Sequence, residues 1–156
     1  MDFKAKHLEG VVEAHEEIDQ TFAIIAAAGG PTMAELQAMP MSQSADLRAG
    51  LEDSLMEHGD IHPTDDPAAI GWTVELSQPV GDAHTLFMRE PLGRDLKTPG
   101  RTSYQHNRNL LLNLLTIPDK QPGRLKPADI DNMAVGDFLN MVRHIARVIG
   151  PDYQGF

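Results

Sequence analysis

The sequence predicts a mainly α protein of the α+β class: a helical N-terminal segment, one small antiparallel β-hairpin and two C-terminal helices. Three observations carry that expectation. Apolar residues recur at i, i+3, i+4 spacing near both ends of the chain. Between them lies a period-two run, Trp72, Val74 and Leu76 against Thr73, Glu75 and Ser77, followed by a turn-rich stretch and a second apolar run. The 156 residues are 41% apolar, enough for a real core. Aromatic residues make up only 5%, so that core must be built mostly from Leu, Ile, Val, Met and Ala.

Taken in order, Leu8, Val11, Val12, His15, Ile18, Phe22 and Ile25 mark one face of a first helix, with Glu9, Glu13, Glu16 and Gln20 opposite. Gly29-Gly30-Pro31 stops it. Thr32 with Glu35 three residues on has the form of a capping box and starts a short helix that Met39-Pro40 closes. Ser44 or Asp46 is the expected cap of a third helix carrying Leu47, Leu51 and Leu55 and ending by Gly59. The hairpin has its turn at Gln78-Pro79-Val80-Gly81-Asp82 and its second strand at Leu86-Phe87-Met88, stopped by Arg89-Glu90-Pro91. An isolated hairpin is marginal in water, so another element must cover its apolar face or extend its edge. Thr102 or Ser103 caps a helix through Leu115, Pro127 suits a first helical turn, and Phe138, Met141, Val142, Ile145, Val148 and Ile149 stripe the last helix before Gly150-Pro151.

Four segments follow: an acidic helical part at 1–61, a breaker-rich linker at 62–71, the hairpin with its helices at 72–150, and a loose tail at 151–156. The charge divides at the same boundary. Residues 1–71 hold three basic side chains against fourteen acids, a net of −11, whereas residues 72–156 hold ten against nine. Clustered Lys and Arg are needed to release counterions from nucleic acid, so this balance argues against a nucleic-acid partner. There is no Cys, hence no disulfide framework and no thiolate zinc site. No apolar run reaches the ~18–20 residues of a membrane span, and the N-terminus lacks the order of a secretory signal, so a cytoplasmic protein without membrane contact is expected.

The search for chemistry finds no catalytic set and no cofactor motif. His15-Glu16-Glu17 lacks the second histidine four residues on, a place Asp19 occupies, and His15 lies on the apolar face, where a satisfied core histidine is the plain reading. His58, Asp60, His62, Asp65 and Asp66 are all competent metal ligands, but they are also ordinary turn and cap residues, so no metal is assigned. There is no Gly-x-Ser-x-Gly and no Gly-rich phosphate loop. The basic run Arg89, Arg94, Lys97, Arg101 and Arg108 reads as a solvated or partner-facing loop, and its sign complements the acidic first segment, which allows homo-oligomerisation. Met33, Met39, Met41 and Met56 suit either core filling or an adaptable surface.

The ordered set Leu76-Ser77-Gln78-Pro79, Arg89-Glu90-Pro91, Asp95-Leu96, the helix at Leu110–Leu115, and Asp129-Ile130 … Met133 … Asp137-Phe138 resembles the tail assembly chaperones of contractile-tailed bacteriophages, the group of small E-type tail proteins. The resemblance spans about residues 72–149; the acidic segment is not part of the pattern. It implies a non-enzymatic protein of a phage or prophage that coats the tape measure protein before the tail tube polymerises. Client contacts are then expected on the stripe Phe138, Met141, Val142 and Ile145, on exposed faces of Leu8, Val12 and Ile25, and at Arg89 and Arg94. The alternative expectation is a small acidic regulator or DNA mimic acting by protein contact.

Overall fold

A computed structural model of the chain describes residues 1–11, 16–120 and 123–150. Among them are six helices: α1 (Glu17–Ala27), α2 (Met33–Ala38), α3 (Met41–Met56), α4 (Ser103–Leu114), α5 (Pro127–Asp131) and α6 (Val135–Ile149). One antiparallel sheet has the order β1 (Ile61–Pro63), β2 (Gly71–Val80), β3 (Ala83–Arg89) and β4 (Leu115–Thr116). The α+β class expected from the sequence is the one observed. The hairpin's edges are extended by β1 and β4, two strands too short for periodicity to reveal.

Local chemistry accounts for most helix ends. Thr32 and Glu35 form the reciprocal capping box, Oγ1 of Thr32 accepting from the Glu35 amide and the Glu35 carboxylate accepting from the Thr32 amide. Thr102 caps α4 by accepting from the Gln105 amide, and Asp129 accepts from the Lys126 amide at the start of α5, where Pro127 takes a first-turn position. Gly150, at φ +87°, ends α6. Two expectations need correction. Pro40 occupies the N-cap of α3, so Ser44 lies inside the helix, fully buried, with its hydroxyl donating to the Met41 carbonyl. The long first helix is replaced at its start by a 3₁₀ turn, Ala5–Leu8, before α1 begins at Glu17; Val12 and His15, placed on that helix from the sequence, lie outside the described residues, as does the tail at 151–156.

The hairpin turn is also tighter than the sequence suggests. Val80 pairs with Ala83, leaving Gly81-Asp82 as a two-residue turn with Gly81 at φ +59°. Pro79 therefore sits in β2 rather than in the turn. It is tolerated because the ladder is irregular between Glu75 and Val80, where no partner needs its missing N–H. The core face of the sheet carries Val74, Leu86, Met88 and Leu115, with Val74 opposite Leu86 and Met88 opposite Leu115. Thr73, Phe87 and Thr116 form a row across the other face.

The hydrophobic core runs without a break from Phe3 to Ile145, joining both halves of the chain. Ala5 donates to the Met133 carbonyl and Val135 to the Phe3 carbonyl, tying the N-terminus to the loop before α6. The stretch at 62–71, expected as a linker, opens in β1: His62 and Pro63 pair with Thr73 and Trp72 and belong to the sheet.

The first turns of α6 hold the acidic segment to the sheet. Asp137 is 2% exposed, and its carboxylate accepts from the Gly59 amide (3.1 Å), the Ser77 amide and hydroxyl (3.0 and 2.9 Å) and the Gln78 amide (3.4 Å). Those amides belong to the irregular stretch of β2 and to the chain leaving α3. A hydrogen bond to a charged group contributes about 1.5–3 kcal/mol, so one buried carboxylate accepting from three amides stabilises a bulge the ladder does not. Asn140 donates to the Gly59 carbonyl beside it. Gly136 lets α6 approach the end of α3 so closely that a methyl group there would overlap the carbonyl oxygens of Glu57 and Ser54. Gly136→Ala is therefore expected to destabilise the protein by about 2 kcal/mol or more. Gly50→Ala, in the open middle of α3, is expected to stabilise by about 0.5–1 kcal/mol. Urea midpoints of the two variants check this; equal effects would remove the argument for close approach.

Candidate partner-binding surface

The connector after β3 is a surface segment held by several side-chain hydrogen bonds. Arg89 closes the strand, Pro91 prevents its continuation, and a 3₁₀ turn, Gly93–Lys97, brings Asp95 back beneath it. The Arg89 guanidinium meets Asp95 in a two-pronged pair, Nη1 to Oδ2 at 2.8 Å and Nη2 to Oδ1 at 2.9 Å. The Leu92 amide donates to the same carboxylate at 2.6 Å, and the Thr98 amide and hydroxyl both donate to the Asp95 carbonyl. Asp95 is 4% exposed. The hydrogen bond from Arg89 holds its carboxyl below the usual carboxylate range; burial opposes the shift, and the Leu92 amide assists it.

Because the turn is pinned from inside, its other side chains point outward. Arg94 and Lys97 are exposed, as are Leu92 at 47% and Leu96 at 39%. Grooves lie on both sides of this ridge. One, of about 610 Å³, runs over the outer face of the sheet, with Phe87 and Leu114 on its floor, Asn113 and Thr116 beside them, and Arg94 and Arg124 on its rim. The other, of about 210 Å³, has mixed walls, with Pro91, Leu92, Leu96, Val148 and Ile149 beside Glu90 and Gly93. A third groove, of about 600 Å³, lies away from this ridge between α1 and α3, where Ile18, Leu51 and Leu55 are flanked by Glu16, Glu17 and Glu52.

The residues expected to meet a partner divide sharply. Phe138, Met141, Val142 and Ile145 are all 1% exposed or less, and Phe138 packs against Tyr104 with ring centroids 5.3 Å apart. Exposing a side chain of this kind sacrifices about 3 kcal/mol or more, so the α6 stripe is core and the expectation of client contact there is corrected. Leu8 and Ile25 are likewise buried, and Val12 lies outside the described residues. Arg89 is committed to Asp95 and acts as a staple. Arg94 alone of the six residues singled out is free on the surface. The sequence missed Leu92, Leu96, Phe87 and Arg124, because exposure of an apolar residue and the bridge between Thr116 of β4 and Arg124 have no periodic signature.

The histidines and acids at 58–66 are spread along a turn and strand β1. His58 Nδ1 lies 2.8 Å from the Gly59 carbonyl and His62 Nε2 lies 3.5 Å from Glu75; among the described residues no three ligating side chains converge on one point. The Tyr104 hydroxyl donates to Asp131, which Arg108 also approaches, and burial together with that carboxylate pushes the phenol pKa upward. Beneath β2, His144 packs edge-on against Trp72 at 4.6 Å, and burial lowers its pKa with Arg147 adding to the effect.

Some of the residues that carry the resemblance noted from sequence make internal contacts. Ser77 and Gln78 bind Asp137 some sixty residues away, Arg89 binds Asp95, Asp129 caps α5, and Ile130, Met133 and Phe138 are buried. Comparison with family models, with curated proteins and with solved structures returns no match. Among the described residues no helix is long and apolar enough to cross a membrane.

Since folding depresses the Asp95 pKa, its contribution to stability is complete above the usual carboxylate range and is lost as pH falls through the lowered value. Asp95→Asn is expected to cost about 2 kcal/mol at neutral pH, with the gap to wild type narrowing in acid. Urea titrations across that range test it; a gap independent of pH would contradict the assignment.

Proposed function

We propose that the chain is a non-catalytic tail assembly chaperone of a phage or prophage, which binds the tape measure protein in the host cytoplasm and keeps it soluble during tail assembly. The observation carrying this reading is that motif residues scattered over residues 76–138 close into direct contacts, Ser77-Gln78 with Asp137 and Arg89 with Asp95. The physical task fits the surface: long apolar-striped helices aggregate unless covered, and a carrier with a net charge of −10 stays soluble while covering them. The apolar ridge at Leu92 and Leu96 offers contact area for such a helix.

Exposed acids along α3, Asp46, Glu52, Asp53 and Glu57, favour a second reading, a regulator that occupies the site of a basic partner. Co-expression with a phage tape measure protein separates the two. A chaperone is expected to carry that client into the soluble fraction at several copies per client chain, measured by light scattering on the purified complex. An insoluble client, together with a one-to-one complex with a folded basic protein, would favour the regulator instead.

A further inference from the structure

The ridge at 91–97 has the character of a docking surface with a defined preference. Among the described residues, three of the seven large apolar side chains left exposed, Leu92, Leu96 and Val148, gather here. Lone exposed apolar residues are unremarkable on protein surfaces, but a cluster beside a groove marks a place where another chain packs. The connector is also a basic island on an acidic protein: from Arg89 to Arg101 there are four basic side chains against two acids, and Asp95 already neutralises Arg89. Arg94 and Arg124 remain exposed around the apolar floor formed by Phe87 and Leu114, and Lys97 is exposed on the same turn as Arg94.

We infer that this ridge and its two flanking grooves bind an amphipathic helix whose apolar stripe is flanked by Asp and Glu. Leu92, Leu96 and Val148 take the stripe, and the Arg94 and Arg124 guanidiniums take the carboxylates, a pairing that planar guanidinium geometry favours. For a helix flanked by Lys or Arg, the exposed cations here outnumber Glu90 and disfavour it; its counterpart is the groove between α1 and α3, where Glu16, Glu17 and Glu52 outnumber Arg48. Nucleic acid is a poor occupant, since three cations release few counterions and the rest of the surface is negative. The staple between Arg89 and Asp95 gains a purpose beyond stability: it presents the ridge already ordered, so a partner does not bear the entropy of fixing it. This inference deepens the chaperone reading and rests on it for the identity of the helix as the client.

The test uses the full chain and two synthetic helices of about 18 residues with one leucine stripe, flanked by Glu in one and by Lys in the other. Fluorescence anisotropy is expected to show the Glu-flanked helix binding about tenfold tighter. Arg94→Glu with Arg124→Glu, and separately Leu92→Ala with Leu96→Ala, are each expected to weaken it about tenfold while wild-type circular dichroism is retained. Tighter binding of the Lys-flanked helix, no binding of either, or folded variants that bind as wild type would each overturn the inference. Co-expression with the client separates the two levels. Variants that still solubilise it overturn the surface and leave the chaperone. A wild-type chain that binds the Glu-flanked helix but fails to solubilise the client keeps the surface and removes the chaperone reading.

Discussion

Asp137 sits where the two halves of the chain meet, and its carboxylate answers backbone amides from both of them. Without it the Ser77 and Gln78 amides in the irregular stretch of β2 and the Gly59 amide in the chain leaving α3 lose their carboxylate acceptor. Gly136 and Asn140 flank it on the same helix, one by being small enough for contact with the Glu57 carbonyl, the other by donating to the Gly59 carbonyl. The bulge, the packing of α3 on α6 and the start of β1 all follow from this joint. The apolar stripe of α6 then has one place to go, between the sheet and the N-terminal turn, and that is why it is buried.

This distribution of roles separates the residues that make the fold from those left to act. Several residues the sequence singles out are consumed by internal contacts: Arg89 by Asp95, Ser77 by Asp137, Phe138 by Tyr104. The side chains left outward beside these contacts, chiefly Leu92, Arg94 and Leu96, surround the buried Asp95. A surface made this way is rigid before a partner arrives, which lowers the entropic cost of association.

Much of the fold was legible in the sequence because the relevant signals are local. The Thr32–Glu35 box, the Thr102 cap, Pro127 and the stripe of α6 each depend on residues within a few positions. What was not legible depends on distance. β1 and β4 are three and two residues long and exist only through β2 and β3. Pro79 reads as a turn residue until Asp137, far along the chain, makes its stretch of β2 stable. The candidate surface was less legible still. The stripe of α6 was read as a possible contact face because periodicity reports amphipathicity and is silent on which neighbour covers it. Arg94 alone emerged from sequence as an exposed candidate that the structure leaves free.

Hydrogen exchange followed residue by residue tests the joint most directly. If Asp137 couples the halves, the amides of Gly59 and Ser77 are protected to the same degree as the middle of α6, although neither belongs to a regular ladder or helix. In Asp137→Ala that protection is lost, and α3 opens at a lower free energy than in wild type. Free exchange at Gly59 and Ser77 in the wild-type protein, or an α3 indifferent to the substitution, would contradict the account.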